Sequence, residues 1–231
     1  MNHLLTPDEW QAVLLTLDVS IKAVLFALPV ALAVAMALSR GRFPGKVVLD
    51  TVAHLPLVLP PVVVGWLLLI VFGLHGPIGA FLFNWFGIRL VFTENGAVLA
   101  CAVMILPLIL RAIRLSLDAV DPGLEQAART LGAGPWDRFL TITLPLAAPG
   151  VMVGACTGFA AALGEFGAVI TFAANIPGQT QTLPLAIYAA LQAPGGEATA
   201  ARLSLVSVVL AVVFLIASER LSRMVRRYMG T

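Results

Sequence analysis

The sequence has few charged residues. Only 11% of its 231 residues are Asp, Glu, Lys or Arg, whereas 60% are hydrophobic. Soluble domains contain about 25% charged residues on average. This chain therefore cannot cover a water-facing surface, and we expect an integral membrane protein with a single membrane domain over residues 1–231.

Cysteine and nucleotide-binding signals are equally scarce. The two cysteines, Cys101 and Cys156, stand alone in apolar stretches, so they predict small hydrophobic residues and no metal site. Residues 41–47 (GRFPGKV) loosely resemble a phosphate-binding loop, but three residues instead of four separate the glycines, and Val47 stands where Ser or Thr must reach the metal. The early Asp8 and Glu9 exclude a signal-peptide pattern. We predict no catalytic residue, no metal and no cofactor bound by this chain.

What the sequence has is long apolar runs. Five are about the length that a bilayer core requires, and they predict spans at residues 19–38, 47–72, 96–115, 146–172 and 198–218. The residues up to Leu17 predict an interfacial segment with Trp10 as an anchor. Pro56, Pro60 and Pro61 interrupt the second span, which is tolerated only where neighbouring groups or a water-lined cavity satisfy the freed carbonyls. The fold class is thus all-α, a polytopic membrane helix bundle.

The basic residues indicate the orientation. With five spans, eleven of the fourteen Lys and Arg residues fall on the side of the first loop, the loop between the third and fourth spans, and the C-terminal tail. Basic flanks stay in the cytoplasm. We therefore predict a periplasmic N-terminus and a cytoplasmic C-terminus.

The longest polar passage, residues 121–145, predicts a cytoplasmic hairpin. Asp121 can cap a helix that starts at Pro122, and Gly132 suits the left-handed position that ends it. A second short helix is expected to start at Pro135 and to end at Pro145. We expect a small, Ala-rich outer surface that fits a groove of another protein.

This passage resembles the coupling loop of bacterial ABC-importer permeases, whose pattern is Glu-Ala-Ala, three residues, Gly, nine residues, Ile-x-Leu-Pro. The departure is Gln126 at the Glu position, with Glu125 one residue earlier. The resemblance implies an ATPase-coupling role for Glu125, Gln126, Ala127, Ala128, Gly132, Ile142, Leu144 and Pro145.

Residues 164–167 (GEFG) and 175–188 are similar to the molybdate/sulfate branch of these permeases. The resemblance implies a type I ABC importer permease fold in the bacterial inner membrane and a homodimer with a pore on its two-fold axis. It also implies two ATPase subunits that carry ATP and magnesium, and a periplasmic molybdate-binding protein. The short chain and its TPDEW start at residues 6–10 look like the molybdate members, so the implied function is molybdate import by alternating access. A sulfate or tungstate permease is the alternative.

A few polar or helix-breaking residues could belong to the translocation path. Glu165, about 19 residues into the fourth span, is an intramembrane carboxylate and by default suggests function, although it could equally bond a backbone donor at a broken helix. The other candidates are Pro60, Pro61, Thr157, Thr171 and Asn175. A membrane-embedded enzyme that combines Glu165 with Asp50 and His54 is a distant alternative, because nothing supplies a nucleophile or metal-ligand spacing.

Overall fold

The computed structural model describes residues 5–228, with side chains for all of these except Pro122, Glu125 and residues 221–228. Every regular element in this range is helical, which confirms the all-α class. The elements are α1 (Pro7–Arg40), α2 (Lys46–Val58), α3 (Pro61–Phe72), α4 (Pro77–Phe86), α5 (Glu94–Asp118), α6 (Pro122–Thr130), α7 (Pro135–Arg138), a π-helical segment (Phe139–Thr143), α8 (Leu144–Leu163), α9 (Gly167–Phe172), α10 (Leu183–Gln192) and α11 (Glu197–Tyr228).

Four stretches of the described chain are long and apolar enough to cross a membrane as single helices. They are Pro7–Arg40, Glu94–Asp118, Pro135–Leu163 and Glu197–Arg220. Helices α3 and α4, which are bent by 48° relative to each other, would form a fifth span if they count as one. The expected bundle of about five spans is therefore confirmed.

The first span begins earlier than its predicted start at residue 19. The structure continues α1 without interruption from Pro7 to Arg40, so the prediction of a separate interfacial segment was wrong for the described part of residues 1–17. A capping box sets this start: Thr6 Oγ1 accepts from the amide of Glu9, and the amide of Thr6 donates to Glu9 Oε2. Pro7 fits the first helical position because its missing N–H has no partner there.

Two predicted spans are broken into pairs of helices. Residues 47–72 form α2 and α3, separated by Leu59 and Pro60, and residues 146–172 form α8 and α9, separated by residues 164–166. Pro60 and Pro61 stand at the start of α3, where a helix can begin but cannot continue from the preceding turn. The prolines therefore end one helix and start another instead of kinking a single span.

Helix α5 is the centre of the bundle. Its side chains Ile105, Ile109, Leu110 and Ile113 are fully buried, and α5 packs against both α1 and α8. Helix α8 approaches closely because it presents small residues. A Cβ atom added at Gly150, for example, would lie 2.4 Å from Ser116 Oγ.

Two segments between the predicted spans contain helices of their own. Helix α4 lies within residues 73–95, and α10 lies within residues 175–196. Helix α10 packs against α1 and α11, its Leu183 and Leu185 are buried, and the amide of Leu183 donates to Thr16 Oγ1 at 2.6 Å. Helix α10 is thus part of the bundle.

Candidate functional site: the hairpin and two helix breaks

Helices α6 and α7 form the predicted helix–glycine–helix hairpin. Asp121 Oδ1 accepts from the amide of Gly123 at 2.8 Å and caps α6. Gly132 has φ +89°, and the amide of Ala133 closes the turn by donating to Ala128 O at 3.0 Å. A residue with a Cβ is strained in this left-handed conformation, so the glycine is required by the turn itself. The local form of the hairpin is confirmed, while its contact with an ATPase stays a prediction.

The second arm of the hairpin does not end at Pro145. Helix α7 has four residues and continues through the π-helical segment into α8, so that residues 135–163 form one continuous helical stretch. Pro145 lies at the start of α8, where a proline is tolerated. The prediction that Pro145 closes a separate short helix was wrong, and the hairpin is joined directly to a span.

Two large apolar side chains are exposed on the hairpin, so the prediction of a small, Ala-rich outer surface was wrong in this respect. Leu131 is 88% exposed and Trp136 is 77% exposed, and the ring of Trp136 packs edge-on against Phe139 at 6.2 Å. An exposed apolar patch with a polar surround marks an interaction site. The sequence analysis did not identify Trp136 as part of this surface. The signal was an aromatic residue within a polar passage.

The predicted coupling residues are distributed over this surface and its base. Gln126 and Ala127 are exposed, while Ala128 is partly buried. Ile142 and Leu144 are partly buried where the hairpin joins α8, and Pro145 is exposed. The side chain of Glu125 lies outside the described residues, so the structure places only its backbone, within α6.

The two helix breaks lie against each other. Helix α3 packs on α9, and a Cβ added at Gly65 would lie 2.7 Å from Thr171 Cβ. A Cβ added at Gly167 would lie 2.7 Å from Pro61 Cβ. The structure therefore brings the predicted path residues Pro61 and Thr171 to one contact, which we call the α3–α9 seam, and Glu165 precedes α9 in the chain. Pro60 is exposed next to it.

Glu165 caps α9. It lies between α8 and α9, and its Oε1 accepts from the amide of Ala168 at 2.9 Å. This hydrogen bond agrees with the second interpretation of Glu165 in the sequence analysis, in which the carboxylate bonds a backbone donor at a broken helix. Asp50 contacts Arg114 at the hairpin end of α5. Glu165 lies beyond the opposite end of α8, whose 20 residues span roughly 30 Å at 1.5 Å per residue. The structure does not bring Glu165 together with Asp50 and His54, so the embedded-enzyme constellation does not form.

The remaining path candidates bond locally. The hydroxyl of Thr157 donates to Val153 O at 2.9 Å on an exposed face of α8, and that of Thr171 donates to Gly167 O at 2.8 Å. Asn175 Oδ1 accepts from Gln181 at 3.0 Å beyond α9. The role of these residues in the path stays a prediction. Among the described residues, no group of three or more His, Cys, Asp and Glu could hold a metal ion.

Comparisons with known sequences agree on one family, and a comparison with solved structures shows a similar fold. Residues 27–227 match the family model described as a binding-protein-dependent transport system inner membrane component. The chain is 59% identical over 227 residues to the molybdenum transport system permease protein ModB of Escherichia coli K12, covering 98% of this chain and 99% of that one. It is 51% identical over 222 residues to ModB of Haemophilus influenzae, covering 96% and 97%. Among solved structures, a bacterial alginate ABC transporter in complex with an alginate pentasaccharide-bound periplasmic protein has a similar chain, with a TM-score of 0.77 at 18% identity over 95% of this chain and 80% of that one.

Proposed function

Because the chain belongs to the family of binding-protein-dependent transport system inner membrane components, we propose that it is the membrane subunit of an ATP-driven importer that moves molybdate across the bacterial inner membrane by alternating access. Two relatives that are more than half identical over nearly their full length carry molybdenum transport in their names. The chain itself is a multi-pass membrane protein with a transport-permease sequence. Hydrolysis of ATP with magnesium is assigned to a partner subunit.

The observation that carries this proposal is the exposed hairpin. Leu131 and Trp136 extend from a polar turn whose backbone requires Gly132. An apolar patch at the end of a membrane bundle, outside the lipid-facing spans, suits a groove on a soluble partner. The basic residues near this end support its location in the cytoplasm, where an ATPase would dock.

The connection between hairpin and seam supports a coupling mechanism. The hairpin continues through α7 and the π-helical segment into α8, and α8 ends at the break beside Glu165. Helix α9 then contacts α3 at Gly65 and Gly167. Closure of two ATPase subunits would push the hairpin, and α8 would transmit that displacement to the α3–α9 seam. Packed interfaces of this kind change between discrete arrangements rather than deforming continuously.

A second copy of the chain and a periplasmic molybdate-binding protein complete the proposed assembly. In the most apolar 18 residues of α5, 56% of the residues are buried inside the chain. The corresponding shares are only 22% in the stretch Pro135–Leu163, which contains α8, and 11% in α11. The apolar surface that α8 and α11 leave open must be covered by lipid or by protein. We assign one part to lipid and another to a second copy around a two-fold pore, with the binding protein on the opposite side from the hairpin.

The test compares two glycines of the hairpin. Gly132→Val forces a β-branched side chain into a left-handed turn, whereas Gly134 has φ −68° at the N-cap of α7, an extended conformation that Val adopts without strain. Membranes from cells that express each variant are solubilised, and the co-purified ATPase and labelled molybdate uptake are measured. Gly132→Val should insert but lose both, while Gly134→Val keeps both. Normal uptake in Gly132→Val would contradict the coupling role.

A competition experiment separates molybdate from the alternative anions. Uptake of labelled molybdate is measured with unlabelled molybdate, tungstate or sulfate in excess. If sulfate inhibits this uptake as strongly as the same excess of unlabelled molybdate, the sulfate permease is favoured instead.

A further inference from the structure

A polar cavity lies at the hairpin end of the bundle, between α2 and α5. Its volume is about 410 Å³. The lining residues are Asp50, Thr51 and His54 of α2 and Arg111 and Arg114 of α5. Four of these five can carry charge, in a chain with only 11% charged residues. The proposed transport cycle gives none of them a role.

Arg114 is held in place within this cavity. Its Nη1 donates to Asp50 Oδ1 at 2.9 Å, and its Nε lies 3.8 Å from Asp118, which is more than half exposed and does not line the cavity. His54 Nδ1 lies 2.8 Å from the Asp50 carbonyl oxygen. Since a carbonyl oxygen only accepts, Nδ1 carries the proton, and the other ring nitrogen is left for a further partner.

Arg111 has no such restraint. It is exposed, it lines the same cavity, and it has no hydrogen-bond or ion-pair partner among the described side chains. The lining therefore contains two guanidinium groups and one carboxylate, a formal charge of +1 even with His54 neutral.

We propose that this cavity binds a tetrahedral oxyanion group. A guanidinium presents a planar set of N–H donors that matches phosphate-like oxygens and bonds them more strongly than a neutral donor does. Arg111 is the anion-binding cation that lacks a partner, and Asp50 positions Arg114 as the second cation. An anion at this place neutralises the lining and joins α2 to α5 beside the hairpin.

The tetrahedral oxyanion group bound in this cavity can come from two sources. One is a free tetrahedral oxyanion, such as inorganic phosphate or the transported molybdate. The other is the phosphate of an anionic lipid, because basic pockets between membrane helices bind such headgroups. The site itself does not depend on the proposed transport activity, since it is defined by the charges of α2 and α5.

The experiment measures binding directly on the full chain purified in detergent. Calorimetric titrations use sodium molybdate and inorganic phosphate, and native mass spectrometry uses phosphatidylglycerol with phosphatidylcholine as the uncharged-headgroup reference. Arg111→Gln is compared with Arg42→Gln, which removes an equal charge from an exposed position in the first loop that does not line the cavity. Thermal unfolding confirms that both variants are folded, and Arg111→Lys provides a charge-preserving variant.

The expected result is binding of at least one probe by the wild type and by Arg42→Gln. Arg111→Gln should lose about 10- to 100-fold in affinity, as for one charge-assisted hydrogen-bonded contact, and Arg111→Lys should lie between. Selectivity for molybdate or phosphate identifies a free oxyanion, and selectivity for phosphatidylglycerol identifies a lipid. The proposal is overturned if the wild type binds no probe, or if Arg111→Gln binds as well as Arg42→Gln. Neither readout involves the ATPase or uptake, so this result stands apart from the test of the hairpin.

Discussion

Gly65 is the most sensitive point of the α3–α9 seam. A Cβ at this position would lie 2.7 Å from Thr171 Cβ, 2.8 Å from Ala168 O and 3.1 Å from Ala168 Cα. None of these atoms can rotate away, because all belong to the backbone or are Cβ atoms. Carbon atoms in contact prefer about 3.5–4.0 Å, so Gly65→Ala must separate α3 from α9 by roughly 1 Å.

This separation is expected to cost about 1–3 kcal/mol, the usual range for overpacking a close contact. If the seam moves between two arrangements during transport, the same free energy changes their ratio by about 5- to 150-fold. Gly65→Ala should therefore reduce molybdate uptake and lower the midpoint of thermal unfolding. Capture of the ATPase should be unchanged, because the hairpin is distant from the seam.

Gly164→Ala is the matched control, since a Cβ there has its nearest neighbour, Ala161 O, at 3.9 Å. It adds the same methyl group at the break between α8 and α9 without a clash. Both variants are assayed for labelled molybdate uptake in cells and for thermal unfolding in detergent. If Gly65→Ala transports and unfolds like Gly164→Ala, the tight seam plays no part in transport and the estimated cost is wrong.

Three further substitutions test other contacts. Gly132→Ala should weaken ATPase capture more than Gly132→Asn, because Asn tolerates the left-handed turn whereas Ala destabilises it by about 1–2 kcal/mol. Equal capture by the two variants would contradict the backbone requirement. Glu165→Gln should keep uptake because an amide oxygen can still accept from Ala168, whereas Glu165→Leu should lose about 1 kcal/mol of stability with its cap; failure of the Gln variant would show that the charge is needed. Arg202→Gln removes the 2.7 Å bond to Glu9 that joins α11 to α1, and it should lower the midpoint of thermal unfolding. The expected loss of stability is about 1 kcal/mol, because Arg202 is half exposed. An unchanged midpoint would show that the pair contributes nothing.

Local signals predicted the parts of the fold that depend on neighbouring residues. The turn at Gly132 was predictable because a glycine after an Ala-rich helix suits the left-handed position. The start of α1 was also predictable, since Thr6 and Glu9 form a capping-box pattern, but the residues up to Leu17 were interpreted as an interfacial segment with Trp10 as its anchor. The continuation of α7 into α8 was not predicted, because Pro145 can begin a helix as well as end one.

By itself, the sequence determined the membrane class, the approximate number of spans and the glycine turn of the hairpin. These follow from composition, run length and local backbone preference, which act within a few turns of chain. Only the tertiary structure decided that the breaks at Pro60 and Glu165 belong to one seam and that Arg111 shares a cavity with Asp50. Those residues are far apart in the chain, so local preferences cannot bring them together, and the α3–α9 contact depends on how closely the two helices pack at Gly65 and Gly167.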